Sequence, residues 1–384
     1  MGEKGLVNGL EHYLDNSATT AVSPSAAEKA FKVMTEIYGN PSSLHTKGIE
    51  AEKELEQARL SVAERLGAQH EEIFFTSGGT EANNLAVFGA AEAKKRSGKR
   101  IVVSSAEHSS VLEAAKHLEQ NGWDVVYITP CADGTISPDD VAEQVDKNTT
   151  LVSVMYVNNE TGAINPVDEI FELARLKNPD IICHTDAVQA FGKLEIKAKK
   201  LGADLISVSG HKVFAPKGVG AIYIKRGVRL VSRQFGGEQE KKVRPGTEPL
   251  PLIAAFGEAC AEFDIKENYR LVSELKNYAV QRLSEIDGVL FNSPENALPY
   301  VLNITAGRVR SETMLHFLEE REVYVSSGSA CAKGKPSHVL SAMGIDKKRA
   351  DSALRISFSK HNTKEDIDAL CEGIREGLEV LAHR

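Results

Sequence analysis

Along the first two-thirds of the chain, short apolar runs alternate with stretches of helical periodicity. The runs are Ile73–Phe75, Ile101–Ser104, Val125–Ile128, Leu151–Met155, Ile181–His184, Leu205–Val208 and Ala221–Ile224. Each has the length of a strand and is mostly apolar at consecutive positions, as expected of a strand buried on both faces. Most are separated by segments of helical period, such as Glu81–Lys95, Ser109–Gln120 and Pro138–Val145. Buried strands joined by helices predict an α/β layer structure on a mostly parallel, seven-stranded sheet. The last run follows its predecessor after a loop alone, which predicts an antiparallel strand at the sheet edge. Ahead of the first run, Ser23-Pro24 reads as the cap and first position of a helix that Gly39 ends. A charged helix over 47–66 follows, with Gly67 as its stop.

From about Pro249 the texture changes. A helical stretch runs to Ile286 with a break in the 258–268 region. After it come Val301–Ile304, a helix near 312–320, Val323–Val325, Leu354–Phe358 and a final helix. Thr363 and Asp366 form a candidate cap pair for that helix, and Ile367, Leu370, Cys371, Ile374, Leu378 and Leu381 form its apolar stripe. The expected organisation is a large domain over 15–255 and a smaller α+β domain made of 1–14 and 256–384. Dividing 384 residues by roughly 150 per domain gives the same order of division.

Composition narrows the function. Hydrophobic residues at 42% and charged residues at 26% describe a folded globular chain. No apolar run approaches the roughly 18 residues of a membrane helix, and Met1–Leu6 lacks the apolar core of an export signal. Lys+Arg 46 against Asp+Glu 54 leaves a formal charge of −8, a surface that predicts no direct nucleic-acid partner. The five cysteines, Cys131, Cys183, Cys260, Cys331 and Cys371, are 52, 77, 71 and 40 residues apart. That spacing holds no CxxC pair and no zinc pattern, and it suits a reducing cytoplasm.

The chemistry is expected where ligands bind in such sheets, beyond the carboxyl ends of the strands. Ser77-Gly78-Gly79-Thr80 leads from the first run straight into a helix, whose free N–H groups favour an anion. It matches neither GxxxxGK[ST] nor GxGxxG. Glu107-His108, Asn158-Asn159-Glu160, His184-Thr185-Asp186 and Ser209-Gly210-His211-Lys212 follow four later runs. A lysine can form a Schiff base with an aldehyde cofactor. A carboxylate can keep a pyridine nitrogen protonated, a helix N-terminus takes a phosphate, and an imidazole stacks or moves protons. Together these parts fit pyridoxal 5′-phosphate.

Ser209-Gly210-His211-Lys212, Asp186-Ala187-Val188-Gln189, Asn158–Gly162 and Tyr13–Thr20 resemble, in the same order, the signatures of the cysteine desulfurases. These are pyridoxal-phosphate enzymes of the class V aminotransferase group, and the likeness runs from about Tyr13 to Leu370. The resemblance implies a fold-type I transferase, with Lys212 as the Schiff-base lysine and Asp186 on the pyridinium. It places Gln189 on the ring hydroxyl and His108 against the ring as a proton carrier. Gly79, Thr80, Ser209 and His211 would hold the phosphate. Thr247 would reach the phosphate of a second subunit, which implies a homodimer. Asn159 and Arg355 would take the α-carboxylate of L-cysteine, and Asn40 in Gly39-Asn40-Pro41 matches a motif near the pocket.

Cys331 lies in Ser326–His338, a run of small residues with Lys333 and Lys335, and these cations favour the thiolate. The resemblance implies that this cysteine carries the persulfide. Pro336 follows it by five residues, about two fewer than in many members of the family, so the loop reads as short and basic. The implied reaction converts L-cysteine to L-alanine and passes sulfur to an acceptor protein, an iron–sulfur scaffold or a tRNA-thiolation enzyme. The alternative is another class V enzyme, an aminotransferase or a selenocysteine lyase.

Overall fold

The computed structural model describes residues 11–327 and 337–381. Among the described residues, twelve strands form three sheets. In chain order they are β1 (His12–Tyr13), β2 (Ile73–Thr76), β3 (Arg100–Ser104), β4 (Asp124–Ile128), β5 (Thr149–Ser153), β6 (Ile182–Asp186), β7 (Leu205–Ser209), β8 (Gly220–Ile224), β9 (Val289–Phe291), β10 (Val301–Ala306), β11 (Val323–Tyr324) and β12 (Ala353–Ser357).

The central sheet has seven strands in the order β2-β8-β7-β6-β5-β3-β4. Five-residue strands β5 to β8 are buried at every position. Alternate residues feed opposite faces: Ile101, Val103, Leu151 and Leu205 pack with helices Gly79–Lys94 and Ser109–Gln120. Val102, Val152, Cys183 and Ile206 join the larger core on the other side. Two covered faces explain why the runs are apolar throughout.

One expectation fails. β8 is antiparallel to both its neighbours, as its short connection requires, but it lies between β2 and β7 rather than at the edge. Its insertion leaves β2 parallel to the other five strands. Their carboxyl ends therefore open on a single rim. The first helix also ends earlier than expected, at Thr35 rather than near Gly39, whereas Gly67 closes Thr46–Leu66 in the left-handed conformation at φ 56°.

The C-terminal part carries the antiparallel sheet β12-β10-β9, with helix Lys364–Val380 packed nearby. The Asp366 carboxylate accepts the Thr363 N–H at 2.9 Å, so the cap pair forms. β1 pairs in parallel with β11, and residues 14–16 continue along β12 through the Leu14, Asn16 and Ser357 backbones. This lays the segment 15–18 across the rim of the large sheet. Among the described residues no helix is long and apolar enough to cross a membrane.

Candidate active site

At that rim a cavity of about 440 Å³ is lined by Ser17, Gly79, Thr80, Asn83, His108, Asn159, Asp186, Gln189, Ser209, His211, Lys212, His338 and Arg355, among others. Ten of the thirteen residues singled out from the sequence meet here. Asn40 and Thr247 do not line it and are exposed on the single chain. Cys331 lies outside the described residues.

Each side chain arrives by a local rule. β7 ends at Ser209, and a tight 3-10 turn, Gly210–Lys212, folds Lys212 back to the rim. Its Nζ donates to the Ser17 and Ala18 carbonyls at 2.6 Å each. β6 ends at Asp186, which is 5% exposed. Its Oδ1 accepts the Val188 N–H at 2.9 Å and its Oδ2 accepts Asn83 Nδ2 at 2.7 Å.

Asn83 uses its second hydrogen on Ser110 Oγ at 2.8 Å, and Ser110 meets His108 Nδ1 through its Oγ at 2.8 Å and its N–H at 3.2 Å. An N–H can only donate, so Nδ1 is the accepting nitrogen and the ring proton of the neutral imidazole sits on Nε2. Burial holds the His108 pKa below its ordinary value, partly opposed by the charge of Asp186. Asn83 escaped the sequence reading because an amide in the first turns of a helix has no distinguishing pattern.

At the phosphate end, helix Gly79–Lys94 begins at the rim behind Gly78, whose φ of 151° favours glycine. A Cβ on Gly79 would come within 2.9 Å of Val188 Cγ2, so the approach of this turn to β6's connection needs the missing side chain. Ser209 Oγ is buried and has no hydrogen-bond partner. Burial and the neighbouring Lys212 push His211 down to about 4, which leaves a neutral donor ring. A buried, unpartnered hydroxyl beside free helix N–H groups fits a phosphate.

At the opposite end, Arg355 projects from β12 and is 2% exposed. Its Nη2 pairs with Asp15 Oδ1 at 2.8 Å and its Nη1 donates to the Asn159 carbonyl at 3.2 Å. The two flanks of 328–336 also meet the site. Ser326 exchanges backbone hydrogen bonds with Arg355 at 3.1 and 2.7 Å. The Ser337 hydroxyl, on the other flank, donates to the buried Glu160 carboxylate.

Glu107 is fully buried beneath His108. Its Oε1 accepts the Met155 N–H at 2.5 Å, while Oε2 has no partner. Burial, with repulsion from Asp186, pushes its pKa well above the ordinary carboxylate value. The buried thiols are equally quiet. Burial raises Cys183 to about 12 and Cys371 to about 11, and raises Cys260 as well. Cys131 is exposed and absent from the cavity lining.

The class V aminotransferase family profile matches residues 12–370. Over 385 aligned residues, 99% of this chain and 95% of the relative, the chain is 40% identical to a cysteine desulfurase IscS from Methanosarcina thermophila. The chain belongs to the cysteine desulfurases of the class V aminotransferase family. Among solved structures, a NifS-like protein superposes with TM-score 0.92 at 36% identity, covering 97% of this chain and all of that one. A second, SspA in complex with cysteine, gives TM-score 0.82 at 36% identity over 91% of this chain and 99% of that one. The enzyme is therefore pyridoxal-phosphate dependent, as this family is, and the donor set at the rim fits that cofactor.

Proposed function

We propose that this desulfurase converts L-cysteine to L-alanine, with Cys331 receiving the sulfur as a persulfide. The observation that carries the proposal is the convergence of Lys212, Asp186, His108 and Arg355 on one cavity whose wall also holds both flanks of the Cys331 segment. Pyridoxal phosphate, held through Lys212, supplies the electron sink for charge left at the substrate Cα. Asp186 keeps the ring nitrogen protonated. The Gly79–Thr80 turn, Ser209 and His211 take the phosphate. Arg355 and Asn159 bind the α-carboxylate, for which a planar guanidinium is suited. Lys212 Nζ would take the substrate Cα proton, and His108 Nε2 would carry a proton in the cavity. The Cys331 thiolate attacks the substrate sulfur. An S–S bond forms, the C–S bond breaks, and its electron pair stays with the carbon skeleton that leaves, once protonated, as alanine.

Asn40 and Thr247 complete the site of a second copy in this reading. Phe31, Met34, Tyr38 and Leu44, 56–96% exposed, supply an apolar surface beside Asn40 for such a homodimer. The division into 15–255 and 1–14 with 256–384 follows the same reading, supported by β1 pairing with β11. The sulfur acceptor is a protein, an iron–sulfur scaffold or a tRNA-thiolating enzyme, met in the cytoplasm.

Mass spectrometry after incubation with L-cysteine tests the proposal. A gain of one sulfur on Cys331, with alanine in the supernatant, is expected. Borohydride should trap the cofactor on Lys212, and trapping on another lysine refutes the assignment.

A further inference from the structure

Lys193 lies one turn beyond Gln189 and is only 6% exposed. Its Nζ donates to Gln189 Oε1 at 2.9 Å and sits 5.5 Å from the centre of the Tyr300 ring. A lysine has only donors, so this contact fixes which end of the Gln189 carboxamide is oxygen. Nε2 is then the end that donates to the Ser17 carbonyl, at 3.0 Å. Gln189 lines the large cavity, and Lys193 and Lys212 together line a second, smaller space of about 20 Å³, roughly the room one water needs.

A long cationic side chain is seldom buried without a task. Here burial and the charges of Lys212 and Arg355 push its pKa down to about 7. Its hydrogen bond to Gln189 is a costly arrangement to keep unless it also serves the site.

Resting on the reading of Gln189 as the partner of the ring hydroxyl, we infer that Lys193 is a positioning residue for that oxygen. It locks the Gln189 amide so that N–H rather than C=O is offered to the cofactor. Without Lys193 the Ser17 carbonyl alone holds that orientation, and the carboxamide turns over more readily to present an acceptor to an oxygen that carries negative charge.

The test compares two probes of the refolded apoprotein: pyridoxal phosphate and its 3-deoxy analogue, which lacks only the ring hydroxyl. Lys193→Met should weaken pyridoxal phosphate binding by roughly tenfold, the scale of one charge-assisted hydrogen bond, and leave binding of the 3-deoxy analogue unchanged. Lys193→Arg should restore the preference for the hydroxylated form. Equal weakening of both probes would make Lys193 a structural residue and overturn the inference. If the Met variant does not fold, Lys193→Leu, which also lacks a donor, gives the same comparison. Failure of the underlying reading looks different: wild-type protein would then bind both probes alike, or borohydride would not trap the cofactor on Lys212.

Discussion

Asp15 and Arg355, 340 residues apart in the chain, form an ion pair of 2.8 Å in which the arginine is 3% exposed at its side chain. The carboxylate holds one edge of the guanidinium while the Asn159 carbonyl takes a hydrogen from the other terminal nitrogen. Asp15→Asn should leave the arginine present but loosely aimed. The expected result is a rise of roughly tenfold in KM for L-cysteine with kcat changed by less than about threefold, since ground-state and transition-state binding of the α-carboxylate are lost together. Steady-state alanine release measures both. Loss confined to kcat would contradict a role in carboxylate binding.

The chain Asp186–Asn83–Ser110–His108 ties the acid of β6 to the imidazole at the end of β3. Asn83→Ala leaves Asp186 Oδ2 without its donor and should lower kcat by roughly tenfold or more, on the scale of a hydrogen bond to a charged group. Asn83→Asp should be worse. It sets a second carboxyl 2.7 Å from Asp186, where both cannot be ionised. Retention of bound cofactor after dialysis, read from visible absorbance, separates the two variants.

Much of the layout of this site is legible in the sequence. Lys212, Asp186, His108 and Ser209 lie at or just beyond the ends of apolar runs, so reading those runs as parallel strands brings them to one rim. The order of strands was not legible. Gly220–Ile224 is buried at all five positions, but the short connection to β7 suggested an edge, and nothing local reports that β2, far earlier in the chain, pairs on its other side. Asn83, Asp15 as a partner of Arg355, and Lys193 were hidden for a related reason. Their roles arise from contacts across 103, 340 and four residues, and only the last is local. There a lysine one turn from a glutamine reads as solvated surface.

Arg59 and Glu240 make a buried bidentate pair at 2.9 and 2.7 Å, and Glu240 also accepts the Phe75 N–H at 2.8 Å. Glu240, Lys241 and Lys242 all have positive φ, 46°, 52° and 66°, a strained turn that the pair holds in place. Arg59→Ala removes one partner of a buried ion pair and should cost roughly 3–5 kcal/mol. A lower urea midpoint, with local proteolysis at 240–242, is the expected readout.

His184 is fully buried between Ser153 and Ser207, and burial lowers its pKa to about 3. The unfolded chain protonates this ring near pH 6.5 and the folded one does not. Between those values the unfolded state binds the extra proton, so stability falls as the pH drops through that window. The slope contributed is at most roughly 1.4 kcal/mol per pH unit. His184→Leu should flatten the acid limb between pH 6.5 and 3 in urea titrations. An unchanged limb would show that other groups dominate it.

Cys331→Ala should keep the cofactor's visible band and abolish alanine release from L-cysteine. Serine at Cys183, Cys260 or Cys371, all buried with raised pKa values, should leave the persulfide signal at Cys331 intact wherever the variant folds.

The tethering of Ser326 to Arg355 and of Ser337 to Glu160 sets a leash. Covalent geometry allows about 3.5 Å per residue, and Cys331 is five residues from Ser326. The chain can therefore place the Cys331 Cα no more than roughly 18 Å from that fixed point. An acceptor protein must come to the mouth of the cavity, so the delivery distance is set largely by the visiting protein.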